Sequence, residues 1–161
     1  MRMLTAARIV VLDSSPERRE ELCKSLRELG LSEVTGIATV ADAGKSGPLP
    51  DLFIVEGPSL ADNDHGDEIS ANPFAASGVA AILLIPAATN IQRRKAIQAG
   101  YQIVIATPAS PRLIYRRIGH VLQIARRVRR RRNDVMSAAP SRTIPELIEG
   151  DLPLAARLPA E

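Results

Sequence analysis

The chain has 161 residues, 45% of them hydrophobic, a net charge of +3, one cysteine, no tryptophan and only 2% aromatic residues. That length suits one domain with an appendage and is enough to bury a sizeable core. A lone cysteine excludes an intrachain disulfide and a thiolate metal cluster; the scarcity of aromatics argues against a base-stacking surface and leaves the core to Ile, Val, Leu and Ala, as in a parallel sheet covered by helices.

Residues 1–7 are too short for a signal peptide and run straight into an apolar strand. No stretch approaches the ~20 apolar residues of a membrane span, so the expected address is cytoplasmic. Arg8-Ile9-Val10-Val11-Leu12 reads as the first strand, and Asp13-Ser14-Ser15-Pro16 as a turn and helix start, with Pro16 at a position where its missing N–H costs nothing. The helix carries Leu22, Leu26 and Leu29 on one face and stops at Gly30. Cys23 lies beside Leu22 and Leu26, the setting of a half-buried inert thiol. Residues 34–40 offer a weaker second strand, and residues 41–47 a short helix at most. Leu52 to Val55 gives a third strand, closed by Glu56. Between Gly57 and Gly78 the pattern dissolves, with room for one or two helical turns around residues 66–71. Residues 79–85 form a nearly continuous apolar run, the mark of a strand covered on both faces. Residues 89–99 read as a helix ended by Gly100, and Ile103-Val104-Ile105 as a fifth strand.

After Thr107-Pro108 a long helix starts near Pro111, with Ile114, Ile118, Val121, Ala125 and Val128 spaced alternately by four and three. Its first three turns are expected to pack on the sheet and the remainder to project. Nine arginines and no Asp or Glu lie between Arg112 and Arg132, which leaves the rest of the chain at about −6. Three readings of that segment stand: a solvated helix end favoured by the dipole, a partner-binding or homodimerising helix, and a surface for nucleic acid or an anionic membrane. Arg126, Arg127, Arg129 and Arg130 are the residues at stake. No helix-turn-helix, zinc-ligand pattern or aromatic platform accompanies them, so sequence-specific readout has no support.

Five strands alternating with helices predict an α/β, doubly wound, flavodoxin-like five-stranded parallel sheet in three α/β/α layers. The landmarks then fall in register with one family. The run Pro50-Asp51-Leu52-Phe53-Ile54-Val55-Glu56 resembles the third strand of a two-component response-regulator receiver (CheY-like) domain, whose last residue is the phosphoacceptor aspartate. The resemblance covers roughly residues 7–127, with the last helix continuing to about 136 and a flexible or docked tail over 137–161. It implies an acidic pair after the first strand, where Asp13 is followed by Ser14. It implies an acceptor aspartate at the position of Glu56, a hydroxyl residue where Pro86 stands, and a lysine where Thr107 stands. Val104 takes the place of a switching aromatic.

With these exchanges the resemblance implies a pseudo-receiver that works by protein–protein contact without catalysis, cofactor or bound metal. Asp13 and Glu56 are left as weak cation ligands, and Glu56 is expected to accept hydrogen bonds from the Thr107 hydroxyl or loop amides. The interaction candidates on the flank of the fourth strand, the helix over 89–99, the fifth strand and the long helix are Arg93, Arg94, Tyr101, Arg116 and Arg117. The expected partner is a signalling protein or kinase. The alternatives are a divergent receiver still phosphorylated on Asp13 or Glu56, and an arginine-driven nucleic-acid or membrane binder. Other signals are slight. Ala43-Gly44-Lys45-Ser46 lacks the upstream glycine of a phosphate loop, since position 39 is Thr39. His65 with Asp62, Asp64 and Asp67 misses Ca²⁺-loop spacing, and His120 has no evident acidic neighbour. The apolar residues Ile144, Leu147 and Ile148 of the tail leave open both docking and disorder.

Overall fold

β-Branched and Leu-rich runs cannot leave their backbone groups unpaired in a core, so the apolar segments pair into a ladder. In the computed structural model, which describes residues 6–45, 47–57, 69–86 and 88–137 and side chains as far as Arg131, they do so as five parallel strands. These are β1 (Arg8–Leu12), β2 (Glu33–Ile37), β3 (Leu52–Glu56), β4 (Ala80–Pro86) and β5 (Ile103–Thr107), in the order β2-β1-β3-β4-β5. This is the expected doubly wound, flavodoxin-like order. The helices are α1 (Pro16–Glu28), α2 (Val40–Ala43), α3 (Asn90–Gln98) and α4 (Pro111–Ser137), with one 3-10 turn at Ala75–Ser77.

The period of two along each strand divides the core between the faces. Ile9, Val11, Ile54, Ile82 and Leu84 point to one side, where Cys23 and Leu26 of α1 and Ile114, Ile118, Val121 and Leu122 of α4 cover them. Val10, Phe53, Val55, Ala81, Leu83 and Ile85 point to the other, beneath Phe74, Ala96 of α3 and Tyr101. Cys23 is fully buried, more than expected, and burial pushes its thiol up against the opposing influence of Arg27 and Arg19.

Helix boundaries follow local chemistry. The Ser15 side chain caps α1 by accepting from the Arg18 N–H, Pro16 takes the first turn, and the chain leaves the helix through Gly30 at φ 107°. Thr89 caps α3, where Gln92 Oε1 accepts the Thr89 N–H and the Thr89 hydroxyl accepts the Gln92 N–H. β2 stops at Ile37, short of the expected 34–40, because Thr39 and Asp42 bond to each other and start α2. Of the helical turn expected over 66–71, residues 66–68 lie outside the described residues and Ile69 to Ala71 are not helical. The acidic loop with His65 and the tail from 138 also lie outside them.

The first half of α4 packs as expected, while Val128 is 61% exposed and Ile124 46% exposed. At 1.5 Å per residue the helix past Ala125 extends ~18 Å. No helix among the described residues is long and apolar enough to cross a membrane.

Candidate functional site at the carboxyl edge of the sheet

Parallel strands put all their carboxyl ends on one edge, the place where open α/β sheets hold their chemistry. Register fixes who meets whom: Leu12 pairs with Val55, Glu56 with Leu84, and Pro86 with Thr107. Asp13 continues β1, its N–H donating to Ile37 O at 3.2 Å. Asp13, Ser14, Glu56, Pro86 and Thr107 therefore lie along one rim, as the strand ends predict. Behind Glu56, the Gly57 N–H donates to Leu84 O at 2.7 Å and ties the rim to β4.

The side chain that organises this rim is Arg18, which no motif in the sequence marks out, and its anchor is Asp13. Asp13 is 3% exposed. Its Oδ1 accepts the Ser15 N–H at 2.8 Å and Arg18 Nη2 at 3.0 Å, and its Oδ2 accepts Arg18 Nε at 3.2 Å. Arg18 Nε also lies 3.9 Å from Glu56 Oε1, and Arg19 Nη1 donates to the Asp13 carbonyl at 2.6 Å. The acid pair thus meets a guanidinium from the first turn of α1. Instead of the Thr107 hydroxyl or loop amides that the resemblance implies, the charged group facing Glu56 is Arg18. One signal was available: Asp13 and Arg18 flank a capped helix start, and a side chain in a first turn leans back toward the helix N-terminus.

Burial pushes the Glu56 carboxyl above its ordinary value, Asp13 adds to the rise, and Arg18 opposes it. The folded form holds this proton more tightly than the unfolded chain. The stability Glu56 contributes is accordingly complete below its ordinary value and is lost as pH rises through the folded one. Glu56→Gln, which cannot ionise, is expected to gain stability over the unsubstituted chain as pH climbs from about 4 to about 7. Urea unfolding across that range checks it, and a constant difference between the two proteins contradicts it.

The interaction candidates divide. Arg94, Arg116, Arg117, Arg127, Arg129 and Arg130 are exposed, and Arg126 is half-buried and engaged. Arg93 is exposed yet holds α3 to β5 by donating from Nη1 to Val104 O at 3.2 Å. Tyr101, expected at the surface, is 3% exposed: its N–H donates to Ala96 O at the end of α3, and its ring packs with Phe74 and Ala96. Burial pushes its phenol up. Among the described residues no three His, Cys, Asp or Glu side chains gather as a metal-ligand group.

The arrangement matches known architecture. A response-regulator receiver domain protein (CheY-like) from Methanospirillum hungatei JF-1 superposes with a TM-score of 0.59 at 21% identity, over 75% of this chain and 97% of that one. The fold is that of receiver domains. An orphan response regulator of H. pylori matches with a TM-score of 0.54 at 16% identity, over 73% of this chain and 98% of that one. A pilus assembly-related protein from Burkholderia pseudomallei K96243 matches with a TM-score of 0.59 at 16% identity, over 76% and 94%. No protein-family model matches the chain, and no curated protein matches it.

Proposed function

We propose that the chain is a pseudo-receiver: a non-catalytic signalling module of two-component type, cytoplasmic, that acts by phosphorylation-independent contact with a protein partner. The observation that carries this is the rim itself. Along it the ends of β1, β3, β4 and β5 follow one another as Asp13, Glu56, Pro86 and Thr107, with Pro86 closing the strand next to Glu56 and Thr107 the strand beyond that. Phosphoryl transfer depends on in-line positioning and on cations that stabilise the transferred group. Glu56 displaces the carboxylate by one methylene from where an aspartate would hold it, Pro86 brings no hydroxyl, and Thr107 brings no cation. A standing carboxylate at this position also carries about one charge where an acyl phosphate carries nearly two, so Glu56 is a weak mimic of a modified residue.

The partner surface of this reading is the flank of α3, β5 and α4, with Arg94, Arg116 and Arg117, continuing along Arg127, Arg129 and Arg130. Tyr101 is buried in the core and is not a contact residue of that flank. The apolar Ile124 and Val128 exposed among these arginines favour a protein partner, or a second copy of the chain, over a purely phosphate-bearing one. A histidine kinase is one such partner. The pilus assembly-related protein of B. pseudomallei shares this fold, so the fold by itself does not require a phosphorelay.

Incubation with acetyl phosphate and Mg²⁺ tests the reading. Intact-mass measurement is expected to show no added phosphoryl group, whereas a stoichiometric gain mapped to Glu56 or Asp13 would establish the divergent, still phosphorylatable receiver instead.

A further inference from the structure

The receiver fold implies a divalent cation at its acidic rim, and with Arg18 seated there the residues of this rim do not fit one. Magnesium requires about six oxygens at ~2.0–2.1 Å in near-octahedral order. Ser14 brings an exposed hydroxyl, which leaves Asp13 and Glu56 as the carboxylates that meet at this edge. The two oxygens of buried Asp13 already receive one backbone and two guanidinium N–H groups. A cation on Asp13 would also stand against the positive charge of Arg18.

The fork from Arg18 is more than an incidental surface pair. Arg18 is 59% exposed, but its partners are not: Asp13 is 3% exposed and Glu56 18%. Two carboxylates this close to one guanidinium repel each other unless a cation sits at their mouth. A bidentate guanidinium has the shape to supply it. The backbone assists, because the Ser15 cap fixes the first turn of α1 and the Arg19 bond to the Asp13 carbonyl fixes the turn before it.

We propose that the Arg18 guanidinium is the resident cation of this rim, closing the Asp13–Glu56 acid pair from within, and that its removal uncovers a latent site for a hydrated divalent cation. The proposal rests on the pseudo-receiver reading and deepens it by naming what neutralises the site. An ion in exchange with solvent loads and unloads with its concentration; a side chain of the same protein does not. The rim is thereby kept in one electrostatic state at any magnesium level.

The test uses the full chain, its Arg18→Ala and Arg18→Met variants, and each variant combined with Asp13→Asn. Methionine keeps the apolar stem of arginine, so it serves if alanine unfolds the protein. Thermal unfolding is followed with and without about 20 mM MgCl2 at matched ionic strength. The single variants are expected to gain ~3–6 °C in Tm, as for a millimolar site. The unsubstituted chain is expected to move by less than ~1 °C, and Asp13→Asn to abolish the gain. An equal gain in the unsubstituted chain overturns the proposal, as does the lack of any gain in both Arg18 variants. These failures are separable from failure of the parent reading: phosphoryl labelling by acetyl phosphate sinks the pseudo-receiver, while a magnesium response without labelling sinks only the resident cation.

Discussion

Replacing Phe53 by alanine is expected to lower the unfolding free energy by about 3–5 kcal/mol, the usual cost of emptying a buried aromatic site. Phe53 lies on β3, the central strand, in register with Val10 on one side and Ala81 on the other. It is 2% exposed, and its ring stacks on Phe74 with centroids 3.5 Å apart and planes 2° from parallel. The chain holds only two Phe and two Tyr, and three of these four side chains pack into the same face. Ala81, Ala96 and Val104 around them are too small to fill the space left. Against a typical total of 5–15 kcal/mol, such a loss leaves the domain marginal at best. Urea titration checks it; a loss below about 1 kcal/mol would mean that the second core face packs differently from this arrangement.

Arg18→Ala is expected to cost about 1–3 kcal/mol, a large effect for a side chain mostly in water. An exposed ion pair would contribute about 0–1 kcal/mol. The difference lies in what is left behind: Asp13 stays buried with only the Ser15 N–H, beside a second carboxylate whose repulsion is no longer opposed. Asp13→Asn in the same chain should recover part of the loss, because the amide needs no counter-charge. A double-mutant cycle measures that recovery. Strict additivity of the two substitutions would show that Arg18 and Asp13 do not act as a unit.

Much of this architecture was legible in the chain because its strands are written in continuous apolar runs. Residues 79–85 had to be covered on both faces, and the strand ends at Asp13, Glu56, Pro86 and Thr107 had to share one edge once the sheet was parallel. What escaped the sequence depends on partners distant in the chain or on reach. Arg18 looks like any charged residue in the first turn of a helix. Its role emerges only when β1 and β3 lie side by side and bring Asp13 and Glu56 within range. Tyr101 follows a glycine and precedes a polar residue, a surface pattern, yet the turn out of α3 buries it in the core cluster that holds Phe74 and Ala96. The end of β2 was set by a local contest, in which the Thr39–Asp42 bond draws the chain into α2 before the apolar run is exhausted.

The most direct measurement is a crystal structure of the full chain grown in tens of millimolar MgCl2, refined at the carboxyl edge of the sheet. Arg18 Nε and Nη2 are expected to remain forked on Asp13, with no octahedral ion between Asp13 and Glu56. A hydrated metal bridging those two carboxylates, with Arg18 turned out into solvent, would contradict this.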